Sequence, residues 1–271
     1  MRRLLLTGGS GFLGRAVQRA APNTGQWDVH APTRAALDVR DAAAVDAAMR
    51  ALRPAAVIHT AYVRDGAAAW ATIVDGTAAV ARAAHAVGAR VIHVSSDALF
   101  AGRPTPYTER DVPDPVHDYG RAKAAAEEAV ASLAPGGVVV RTSLLYGGAD
   151  SPPVRTVLDA LRAPAASTMR FFVDEVRSFV HVDDVARALV ALVELDVAGP
   201  LHVAGPHGVS RYDFARSVCA AYGLAHRSPR AGSLAALADS GRRPGCVVLD
   251  CSQAAALVPL PGPVAERLTA T

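Results

Sequence analysis

The chain has 271 residues, 51% of them hydrophobic, and a formal net charge of +3 at pH 7. No apolar run reaches the roughly 18 to 20 residues that cross a bilayer, and the positive charge comes from scattered arginines rather than a block, so neither a membrane nor nucleic acid is expected as a partner. The three cysteines, Cys219, Cys246 and Cys251, lack the spacing of a disulfide framework or a zinc site, so no metal and a reducing cytoplasm are expected.

Arg2 to Thr7 reads as a short buried strand, because Thr7-Gly8-Gly9-Ser10-Gly11 ends the apolar run too early for a signal peptide. Gly8 to Gly14 follows as a glycine turn and Phe12 to Ala20 as a helix. Glycines at 8, 11 and 14 let the backbone approach a pyrophosphate whose charge rests on the helix N-terminus, and Phe12 and Leu13 open that helix. With no lysine after the last glycine, this is not a Walker phosphate loop. Asp28 to Thr33 is the second strand. It ends in Thr33-Arg34 with no carboxylate for a ribose diol, so Arg34 is expected to take a 2′-phosphate, favouring NADP over NAD; a solvated loop arginine is the alternative. Asp38-Val39, before a helix over Asp41 to Ala51, offers an adenine contact.

Ala55 to His59, a helix over Ala67 to Val87, and Arg90 to Ser95 continue a β-α alternation that implies a parallel sheet. Ser96 and Asp97 then lie at a strand's carboxyl end, where open α/β sheets bind ligands. A Ser96 hydroxyl there can bond a carbonyl oxygen, or it can merely end the strand. A proline-rich loop, Gly102 to Pro115, precedes a helix over Tyr119 to Leu133. Lys123 is the only lysine in the chain. It shares a helix face with Tyr119, and its ammonium is expected to lower the phenol's pKa toward the range useful for acid catalysis. For an isolated Y-x-x-x-K, a solvated helix lysine is the competing reading. Val138 to Arg141 makes the fifth strand.

After Asp150 the alternation loosens. The expected architecture is a doubly wound parallel α/β sheet of Rossmann type with a smaller C-terminal substrate-binding unit. Residues 1–150 and 175–204 form the first unit, and 151–174 with 205–271 form the second. Ser210 caps a helix over Arg211 to Ala221. His59, His93, His117 and His181 read as structural, and His181-Val182-Asp183-Asp184 as a helix entry with capping carboxylates.

Thr7-Gly8-x-x-Gly11-x-x-Gly14, Ser96 and Tyr119-x-x-x-Lys123, in that order, resemble the extended short-chain dehydrogenase/reductase superfamily over most of the chain. Leu37-Asp38-Val39-x-Asp41, Ser95-Ser96-Asp97-x-x-Phe100 and Arg141-Thr142-Ser143-x-x-Tyr146-Gly147, with Arg243-Pro244 later, look most like dTDP-4-dehydrorhamnose reductases. The resemblance implies a catalytic Ser96, Tyr119 and Lys123, with Tyr119 donating the proton and Lys123 holding the nicotinamide ribose. It implies cofactor contacts at Gly8, Gly11, Phe12, Leu13, Gly14, Arg34, Asp38, Val39, Thr60, Ala61 and Lys123. Substrate contacts are implied at Asp97, Tyr119, Leu144 and Arg243, with Arg243 at the diphosphate. The expected reaction is NADPH-dependent reduction of a 4-keto group on a nucleotide-linked deoxysugar, in a protein compatible with a homodimer. The chain departs from the pattern at Ile73, where asparagine is usual, at Leu144, where tryptophan is usual, and at Ala98, where tyrosine is frequent. A nucleotide-sugar 4-epimerase and a non-catalytic NADP-binding regulatory subunit are the competing functions.

Overall fold

The computed structural model describes all residues except 23–24, 65, 163–167, 238–242, 261 and 269–271. Along the chain run β1 (Arg2–Thr7), α1 (Phe12–Ala20), β2 (Trp27–His30), α2 (Ala42–Leu52), β3 (Ala56–His59), α3 (Gly76–Ala86), β4 (Arg90–Ser96), α4 (Asp118–Leu133) and β5 (Val138–Thr142). Then come α5 (Pro152–Arg162), α6 (Val182–Leu192), β6 (Gly199–His202) and α7 (Arg211–Ala221). The six strands form one sheet in the order β6-β5-β4-β3-β1-β2, and every pairing is parallel.

A parallel sheet needs helices on both faces, and its strands are apolar throughout for that reason. Every residue of β3 and of β5 is buried. On one face α1 and α6 supply Leu13, Val17, Val185 and Leu189. On the other, α2, α3 and α4 supply Val45, Met49, Val80, Ala84 and Val130. The alanines of α3 are helix-forming and small, which lets the helix lie close to the sheet. Connections leave β1 toward β2 on one side and toward β3 on the other. The crevice at that switch point opens beside Gly8 and Thr60, where open α/β sheets receive ligands.

Two elements differ locally from expectation. β2 stops at His30 rather than Thr33; Pro32, with no N–H to give a ladder, follows at once. The single helix expected over Ala67 to Val87 contains a π turn at Ala71–Asp75 before α3. The wide turn carries Ile73, fully buried, onto Ala122 and Ala126 of α4.

The smaller unit gathers around Val154, Leu158, Phe171, Phe214 and Val218. Its strands are two residues long. Val176–Arg177 pairs with Val209–Ser210 antiparallel and with Cys246–Val247 parallel. Residues 175–178, expected with the large sheet, therefore lie in the smaller unit. The chain does return to the larger unit at 180–193, but through the packing of α6 on α1 rather than through a strand of the six-stranded sheet. The short helix Ser252–Ala255 departs from expectation in the opposite sense, since Ala254 and Val258 join the core under α1 and α6.

Candidate active site

The glycine turn is built by exclusion. Gly8 has φ +74°, and a Cβ on it would meet the Ala61 backbone nitrogen at 2.6 Å. A Cβ on Gly14 would stand 2.2 Å from the Gly8 carbonyl oxygen, so α1 begins directly on the turn. No side chain caps α1 and no acidic residue occupies its first turn. Free N–H groups and the positive end of the helix dipole therefore face the crevice, a cradle that suits a phosphate anion.

Two cavities meet here. The larger, about 1030 Å³, is lined by Gly8, Gly11, Phe12, Leu13 and Gly14, and by Ser96, Asp97, Tyr119, Lys123, Leu144 and Arg243. The smaller, about 180 Å³, is lined by Arg34, Asp38, Val39 and Ala61. Gly8, Gly11, Thr60 and Tyr62 wall both, so the two spaces adjoin. Every residue singled out in the sequence for a site thus lies on one of these walls. Asp38 is clamped by Arg40, whose Nε and backbone N–H donate to it at 3.0 Å, and Arg34 stands 3.5 Å away. Arg40 holds the Asp38 carboxyl below the usual carboxylate range. Arg34 itself is exposed and keeps most of its donors for a ligand.

Ser96 ends β4, and its hydroxyl accepts from the Ala98 N–H at 3.2 Å. Gly120 brings α4 against this segment: a Cβ there would meet the Ala98 carbonyl oxygen at 2.2 Å. That contact sets Tyr119, one residue earlier, beside Ser96. The helix start is fixed by the His117 ring, which accepts from the Gly120 N–H at 3.0 Å. Lys123 is buried and donates to the Val94 carbonyl at 2.8 Å.

The electrostatics correct one expectation. Burial pushes Tyr119 above the ordinary phenol range, with the Tyr62 phenol adding to the rise, while the Ser96 hydroxyl and the Arg64 guanidinium pull it down. Lys123, expected to lower it, is not among the groups that do so; its ammonium donates to the Val94 carbonyl. Lys123 is itself lowered to about 8, since burial penalises its charge more than Glu127 supports it.

Asp97, expected at the substrate, is largely engaged by the protein. It accepts from Ser143 Oγ at 2.6 Å and lies 3.6 Å from Arg177 Nε. Arg177 also donates to the carbonyls of Val176, Gly245 and Pro244, which ties the smaller unit to the end of β4. The sequence reading missed Tyr62, Arg64, Glu175, Arg177 and Arg211, all on the wall of the larger cavity. Only Tyr62 carried a local signal, by directly following Thr60-Ala61. The other capping expectations divide. Ser210 accepts from the Asp213 N–H at 2.9 Å as expected. At α6 the His181 ring, rather than a carboxylate, accepts from the Asp183 N–H; Asp183 pairs with Arg19 and Asp184 with Arg187 and Arg267.

A family model described as the RmlD substrate binding domain matches residues 1–265. The chain belongs to this RmlD family. The dTDP-4-dehydrorhamnose reductase of Mycobacterium tuberculosis is 36% identical over 231 residues, spanning 80% of this chain and 74% of that protein. Methionine adenosyltransferase 2 subunit beta of Mus musculus is 31% identical over 274 residues, spanning 93% of this chain and 81% of that one. Among solved structures, the dTDP-4-dehydrorhamnose reductase of Bacillus anthracis in complex with NADP superposes with a TM-score of 0.88 at 25% identity. That match covers 99% of this chain and 97% of the other. The chain is thus similar both to proteins named as reductases and to one named as a subunit of another enzyme.

Proposed function

We propose that this RmlD-family chain reduces the 4-keto group of a nucleotide-linked deoxysugar at the expense of NADPH. The observation that carries the reading is the meeting of Ser96, Tyr119 and Lys123 on one wall of a cavity that begins at the Gly8 to Gly14 turn. A bound NADPH supplies hydride. The uncapped start of α1 would hold its pyrophosphate, Arg34 its 2′-phosphate, and Lys123 its ribose. Ser96 and Tyr119 would meet the sugar carbonyl oxygen, and the Tyr119 hydroxyl would donate the proton that completes the alcohol.

The substrate's diphosphate is assigned to Arg243 together with Arg211. Arg177 is committed to backbone carbonyls and carboxylates, whereas Arg211 gives only its Nε to Glu175, at 2.9 Å, and Arg243 is exposed. Binding energy collected there orients the sugar at Tyr119. Leu144 in place of the family's usual tryptophan leaves a wider sugar pocket, which argues for a substrate related to, rather than identical with, the rhamnose precursor.

The test is Tyr119→Phe, assayed for turnover against a panel of nucleotide-4-ketosugars and separately for NADPH binding. The reading expects turnover to be lost with binding kept, and NADPH to be preferred over NADH. Unchanged turnover in the variant contradicts it. A second reading, a non-catalytic NADP-binding subunit, draws on the relation to methionine adenosyltransferase 2 subunit beta and on Ile73. It predicts NADPH binding with no turnover on any ketosugar.

A further inference from the structure

Beneath the larger cavity four charged side chains are buried together: Lys123, Glu127, Arg141 and Glu109, none more than 9% exposed. Their formal charges cancel only if the Lys123 amine is protonated. Lys123 and Glu127 are four residues apart on α4 and share a face. The Glu127 carboxylate accepts from Arg141 Nε at 3.1 and 3.2 Å and from Arg141 Nη2 at 2.8 Å. Arg141 is seated in turn by the Glu109 carbonyl at 3.3 Å and by the Phe100 ring at 5.5 Å.

Among the described residues, the other groups facing Lys123 carry no negative charge. From β4 comes the Val94 carbonyl, and from the segment after β3 the Tyr62 ring, 5.8 Å from Nζ. The rings of His59 on β3 and His93 on β4 stack at 5.3 Å and stay neutral through burial and through the charge of Lys123 itself. Tyr119, on α4, is held in its neutral form. Glu127 is therefore the carboxylate that supports the amine, and it does so while also holding Arg141 of β5.

We propose that Glu127 is the positioning residue of this site: its carboxylate, bonded to Arg141 and one helical turn from Lys123 on the same face of α4, keeps the buried amine an ammonium at the floor of the cavity. The assignment rests on the role given to Lys123 above, yet it can be tested without NADPH or substrate. Because the chain has a single lysine, protein labelled with ¹³C at lysine Cε gives one side-chain signal whose pH titration reports Lys123 directly. The wild type is expected to titrate near 8. Glu127→Gln should lower that midpoint by about one unit or more, the usual effect of losing a close opposite charge. Since the single variant strands a buried guanidinium, Glu127→Gln with Arg141→Gln is the companion, removing both charges. The proposal expects the folded double variant to titrate about one unit or more below Arg141→Gln alone, since both then lack the guanidinium and differ only in the carboxylate. A wild-type midpoint in Glu127→Gln, or no difference between the double variant and Arg141→Gln, overturns it, because Glu127 then serves Arg141 alone. If neither variant folds, glutamate Cδ labelling of the wild type decides: one glutamate signal must move with the Lys123 titration, and its failure to do so overturns the proposal equally. Reading the amine rather than turnover separates this result from the fate of the reductase assignment.

Discussion

At the scale of single residues, the site consists of ordinary groups made unusual by burial. Tyr119 is a phenol kept neutral, and Lys123 an amine whose proton leaves near pH 8 instead of above 10. The sign follows directly: lowering the pKa of a base makes its charged form scarce as pH rises through the lowered value. A turnover that needs the ammonium should therefore fall along a basic limb centred near 8 in a pH profile of kcat/KM. Lys123→Arg should abolish that limb, because a guanidinium does not titrate, and should lower activity because a planar fork does not fit the lysine's place. Tyr119→Phe should reduce kcat by about 10²- to 10⁴-fold, the usual contribution of a positioned acid. The lone lysine was legible in the sequence, because its distinctness needed no structure. Arg177 and Glu127 were invisible there, since what defines them is contact with residues 80 and 14 positions away, a separation that no local pattern encodes.

At the scale of elements, the decisive contacts are backbone on backbone. Gly120 lets the start of α4 touch the Ala98 carbonyl, and no side chain larger than hydrogen fits between them. Gly120→Ala should therefore leave the fold in place and displace Tyr119 from Ser96 by a fraction of an ångström to an ångström. A misplacement of that size costs up to about 10² in rate, measurable as a fall in kcat with circular dichroism and NADPH affinity near wild type. The large strands and helices were legible in the sequence because each runs long enough to show its period; β1 and α1 end where the pattern places them. The π turn was not, since Ala-rich sequence reads as uninterrupted helix and the extra residue is imposed by packing Ile73 against α4. Nor were the two-residue strands of the smaller unit, which are too short to show any alternation.

At the scale of the whole molecule, a doubly wound sheet supplies one wall of the cleft and the smaller unit the other, with Arg177 as the buried tie between them. The interior also sets an acid limit on stability. His59 is lowered to about 3 and His93 well below its ordinary value, both by burial. The unfolded chain takes up protons at these rings near pH 6.5 while the folded one does not, so their contribution is intact above 6.5 and is lost as pH falls toward 3. The thermal midpoint should decline across pH 6.5 to 4.5, and His59→Gln should flatten the decline; a midpoint constant over that window would contradict the neutral buried pair. The placement of residues 175–178 beside Val209–Ser210 and Cys246–Val247, and of residues 252–258 under α1 and α6, was not legible, because both depend on pairings closed late in the chain. The central claim concerns chemistry across the cleft, and it is tested most directly by incubating the wild-type protein with NADPH and a dTDP-linked 4-keto-6-deoxyhexose and following NADPH absorbance against product. The account predicts one NADPH consumed for each 4-hydroxyl sugar formed; binding of NADPH without its oxidation, or isomerisation of the sugar with no net loss of NADPH, would contradict it.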